Sequence, residues 1–147
     1  MPDPGTVASV AGIVSGFGIA VFLFRLEREL KIAEANLIRE ESEREPNWIP
    51  IADWLVFSAV IIALLFSIRP LLGPDGTASA TVRKATAAGV ASVVLLAGYL
   101  PAILGHYNFL YGLRKQRPNP TFAEAVIVLA TIVGACVAYV GVLRGSA

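Results

Sequence analysis

The chain has 147 residues, 56% of them apolar, with a mean hydropathy of +0.69 and a net charge of +1. That is more apolar than an ordinary soluble domain, which lies nearer half, and the length suits a single domain. The near-neutral balance argues against a nucleic-acid partner, which needs a basic face. The single cysteine, Cys136, excludes an intrachain disulfide and any multi-cysteine metal site.

The first element is the one around which the rest is organised. An apolar run from Thr6 to Phe24 passes without proline into a charged run ending near Glu45, and the last glycine is Gly18. This pattern predicts one long helix, membrane-spanning over 6–24 and extended into the cytoplasm over 25–45. The leading MPDPG has no Lys or Arg, so a retained anchor is expected rather than a cleaved leader. Ala8, Gly12, Gly16 and Ala20 recur every fourth residue and include a GxxxG. Helices associate in lipid by close backbone approach, which such a stripe permits. Packing within the bundle is the simpler use of it, and contact with a second copy the sharper one.

Beyond the apolar run, Leu23, Leu26, Leu30, Ala33 and Leu37 repeat at three and four, an a/d seam of about two heptads. Glu27–Lys31, Arg25–Glu29, Arg39–Glu43 and Glu40–Arg44 are opposite charges one turn apart, which support a solvated helix. A surface-lying membrane helix would carry a basic polar face and large aromatics. Glutamate outnumbers basic residues here, so a protein partner is the expected cover for the seam.

Three further spans are predicted over 48–68, 85–105 and 122–143, each near the ~20 residues that cross a bilayer. The expected fold is therefore an all-α membrane protein, a bundle of four transmembrane helices with the first extended as an amphipathic rod. The turn-rich segment Arg69–Lys84 and the segment 107–120, broken at Pro118 and Pro120, are expected as connections. Small residues recur in the other spans as well: Ala59, Ala63 and Ser67, the pairs Ala85–Gly89 and Gly98–Ala102, and Ala130, Gly134 and Ala138. Pro101 inside the third span predicts a kink. Cys136 is expected as a small buried hydrophobe.

Basic residues near the spans set orientation. Arg25, Arg28, Lys31, Arg39, Arg44, Arg114, Lys115 and Arg117 fall on one side, against Arg69, Arg83, Lys84 and Arg144 on the other. The bias puts both termini outside a plasma or inner membrane, with the charged helix in the cytoplasm. Trp48, Trp54, Tyr107 and Tyr111 then form an interfacial aromatic belt.

Three residues are candidates for chemistry. With antiparallel spans, Asp53, His106 and Glu124 share one depth just inside the cytoplasmic rim, where they could bind a divalent metal or relay a proton. Each also has a local explanation. Thr121-Phe-Ala-Glu124 is a capping box, Asp53 follows Pro50 in a first turn, and His106 closes a helix. The structural explanation is preferred, with no catalytic residue, cofactor or metal assigned. No ionisable residue lies mid-span, which disfavours pumps and ion-coupled transporters. The mid-span hydroxyls Ser15, Ser58, Ser92 and Thr131 are expected to bond their own helix backbones.

The functional expectation is a non-enzymatic membrane scaffold or accessory subunit, partnered by the bilayer and by itself or other membrane subunits. Two alternatives are a homo-oligomeric pore and a metal- or proton-handling protein that uses the rim cluster.

Overall fold

The computed structural model describes residues 3–41, 44, 50–67, 79–107 and 121–145, and these are all-helical, with four helices and no strand. Three helices are long and apolar enough to cross a membrane.

Helix α1 spans Pro4–Ile38. Asp3 caps it by accepting from Thr6 N–H at 3.1 Å and from the Thr6 hydroxyl, and Pro4 opens the first turn. Its 35 residues run unbroken, about 52 Å at the usual rise. The helix stops short of the expected Glu45, because Arg39 turns to an extended conformation (φ −88°, ψ 147°). Two physical reasons fit the stop. No apolar residue follows Ile38 before Pro46, so further turns would have nothing to pack, and the run is acidic at the helix's negative end. Of the four charge pairs, Lys31 meets Glu27 at 2.6 Å and Arg25 meets Glu29 at 3.4 Å. The pairs at Arg39 and Glu40 fall beyond the helix, and Glu43 lies outside the described residues.

Helix α2 spans Asp53–Ile62 and continues as a π-helical turn, Ala63–Ser67. The Ala63 N–H still reaches the Ala59 and Val60 carbonyls, four and three residues back, so the wider turn begins only beyond it. The apolar helix Asp53–Phe66 is shorter than the three long ones, about 21 Å against a hydrocarbon core of ~30 Å. The ends of the predicted 48–68 span, Trp48 and Ile68, lie outside the described residues.

Helix α3 covers Ser79–Tyr107, so it begins before the predicted span and takes Arg83 and Lys84 out of the expected loop. It runs through Pro101 to Tyr107. Helix α4 covers Phe122–Arg144, between a Thr121 cap and Gly145, whose N–H bonds Gly141 O at 2.8 Å. Helix α3 is the centre: α1, α2 and α4 all pack on it, and α1 also packs along α2 and its π turn.

The core is built from alanine. Ala11, Ala52, Ala59, Ala63, Ala87 and Ala102 are fully buried, which lets helix backbones come close without large side chains. The glycines that require close approach are Gly18 and Gly98. A Cβ on Gly18 would collide with Val60, and one on Gly98 with Thr131.

Gly12 and Gly16 are different, and here the simpler expectation for the stripe fails. Both are exposed with nothing within 4 Å of an added Cβ, Ala20 is exposed and Ala8 is half-buried. Helix α1 packs instead through Val7, Ala11, Val14, Ser15 and Gly18, the adjacent face. The α4 stripe is likewise peripheral. Ala130 is exposed, Ala138 and Gly134 are half-buried, and Gly134 would meet only Val94, at 3.8 Å. Ala59 and Ala63 do serve as an interior stripe. Every seam residue, Leu23, Leu26, Leu30, Ala33 and Leu37, is exposed. Cys136 is also exposed rather than buried.

Candidate functional site

Polar side chains converge where α2 begins, α3 ends and α4 begins. Pro50 starts a tight turn in which Asp53 N–H bonds Pro50 O at 3.1 Å, and this brings Ala52 and Asp53 to the rim. From α1, Arg25 Nε donates to Asp53 Oδ2 at 3.3 Å. The same guanidinium faces Glu29 at 3.4 Å, and Arg28 pairs with Glu29 at 2.9 Å. Tyr99 is buried on α3, and both it and His106 lie within electrostatic reach of the Asp53 carboxylate.

The second half of the cluster is drier. Glu124 is 0% exposed and His106 4%. His106 Nδ1 and Glu124 Oε2 are 2.7 Å apart, and Glu124 Oε1 accepts from Ala52 N–H at 3.0 Å. Thr121 Oγ1 accepts from Glu124 N–H at 3.2 Å and donates to Gly105 O at 2.8 Å. Thr121 is therefore a cap, but the reciprocal half of the capping box is absent. The Glu124 carboxylate leaves its own helix and ties the start of α2 to the end of α3.

The three predicted candidates are thus neighbours, as their shared depth implied, but they divide between two partnerships. Asp53 belongs to Arg25 and Tyr99, and Glu124 to His106 and Ala52. Among the described residues no group of three metal-ligating side chains is placed to hold an ion. Sequence reasoning missed Arg25 and Tyr99. Both had a signal: Arg25 is the first charge after the apolar run, and Tyr99 lies seven residues before His106, on the same helical face.

Of the belt residues, Trp54 is 62% exposed at the rim and stacks edge-on against Phe57, with ring centroids 5.8 Å apart. Tyr107 ends α3, and Trp48 and Tyr111 lie outside the described residues. Two of the four hydroxyls behave as expected: Ser92 donates to Ala88 O and Thr131 to Ile127 O, each at 2.8 Å. Ser15 does not, its buried Oγ making no hydrogen bond among the described residues. Comparison of the chain with family models, with curated proteins and with solved structures finds no match.

Proposed function

We propose that this protein is a non-enzymatic membrane scaffold or accessory subunit, assembling with itself or a larger membrane complex through α1. In this reading the four helices form one membrane bundle. The short α2 serves as the fourth crossing, its shortfall met by local thinning of the bilayer. The end of α1 stands in the cytoplasm and both termini lie outside.

One observation carries the proposal. Helix α1 presents two unpartnered strips, the small-residue face at Gly12 and Gly16 and the leucine seam ending at Leu37, 82% exposed. The first suits close helix contact in lipid, and the second suits helix pairing in water. The rim cluster is read as a structural tie, because its carboxylates are engaged by a guanidinium, an imidazole and a backbone amide.

The test is the mass of the particle extracted in native lipid. A particle heavier than one 15.5 kDa chain, reduced by L26D/L30D/L37D or by G12L/G16L, is the expected result. A lone chain in native lipid overturns the proposal.

A further inference from the structure

Helices α2 and α4 both lie against α3 rather than against each other, which leaves a cleft between them. Its volume is about 570 Å³, and its walls are almost wholly apolar. It runs along α2 from Trp54 to Phe66, about 18 Å at the usual helical rise. The floor is Ala88, Ala91 and Leu95 of α3, where small side chains keep the cleft deep.

Size selects the occupant. A helix is 10–12 Å across, so a cleft of this volume and length takes no more than one face of it. An extended polymethylene chain, roughly 5 Å across at van der Waals contact, needs about 350 Å³. The cleft accommodates one such chain and part of a second.

Charge marks one end. On α3, Lys84 precedes Ala88 by one turn, on the stripe that continues through Ala91 and Leu95. On α4, Arg144 follows the lining residue Val140 by one turn. Both are exposed, and both stand at the Phe66 end of the cleft. No residue lining the cleft is acidic, whereas the opposite rim carries Asp53 and Glu124.

We infer that this cleft binds an anionic phospholipid, with an acyl chain along Ala88, Ala91 and Leu95 and the phosphate between Lys84 and Arg144. The site uses α2, α3 and α4 and stands independently of assembly through α1.

Native mass spectrometry of the full chain, offered dioleoyl phosphatidylglycerol and dioleoyl phosphatidylcholine in equal amounts, tests it. The wild type should retain the glycerol lipid preferentially. In K84Q/R144Q, two exposed and fold-neutral changes, that preference should fall by about five-fold per base removed. Filling the cleft from its exposed wall with I132W should lower retention of both lipids. Equal retention of the two lipids by the wild type, or an unchanged preference in K84Q/R144Q, overturns the headgroup assignment. Unchanged retention in I132W overturns the acyl assignment, as does displacement of the lipid by free glycerol phosphate at equal concentration. Appearance of a second chain instead of lipid identifies the cleft as a contact between copies and overturns the inference.

Discussion

Glu124 shows how one buried carboxylate can fix three chain segments. Ala52 N–H and His106 would both lose their acceptor if it were truncated, and removing one member of a buried pair costs about 3–5 kcal/mol. E124A should therefore lower the thermal midpoint in detergent strongly. E124Q, whose amide can still accept from Ala52 and donate to His106, should cost only about 1 kcal/mol. Near-equal losses in the two variants would show that packing rather than hydrogen bonding holds this corner. Asp3 gives a milder, pH-dependent example. Its hydrogen bonds from Thr6 hold the carboxyl below the usual value. A depressed folded-state pKa means the cap stabilises fully above about pH 4. That contribution fades as pH falls through the folded value. The protection of the Thr6 amide, its exchange rate relative to a free peptide at the same pH, should fall on acidification in the wild type and be low at all pH in D3A.

At the scale of single elements, glycine is used in two opposite ways. G98A should destabilise by about 1–3 kcal/mol, the cost of forcing an extra carbon into a packed contact, because Thr131 occupies that space. G12A and G16A meet open space and should leave the unfolding midpoint of the isolated chain unchanged or slightly raised. Denaturation in detergent separates them; equal losses at Gly12 and Gly98 would contradict the packing described. The same contrast explains what was legible in the sequence. Apolar runs announced the helices, and antiparallel depth brought Asp53, His106 and Glu124 together. Facing was not legible, since a four-residue repeat of small side chains looks the same pointing inward or outward. Helix ends were harder to place. The stop at Ile38 agrees with the acidic, non-apolar run that follows it, once that run is weighed above the absence of proline, whereas nothing in the turn-rich pattern announced the early start at Ser79. At Glu124 a complete local explanation, the capping box, concealed a tertiary one.

For the whole molecule, the prediction concerns assembly. Leu26, Leu30 and Leu37 are exposed, so L26D/L30D/L37D should fold like the wild type while shifting the particle in native lipid toward a single chain. Circular dichroism and particle mass, measured on the same preparation, separate a lost contact from a lost fold. Native helicity with an unchanged particle mass would place the contact elsewhere.

The length of α1 has a further consequence. Past Arg25 the helix continues for about 20 Å, more than two screening lengths at physiological salt, roughly 8 Å each. In the proposed arrangement the helix stands upright and its tip is electrically out of sight of the lipid headgroups. A partner of the proposed kind would be neither drawn in nor turned away by membrane charge, and would be chosen by touch, leucine against leucine, at a fixed height above the bilayer.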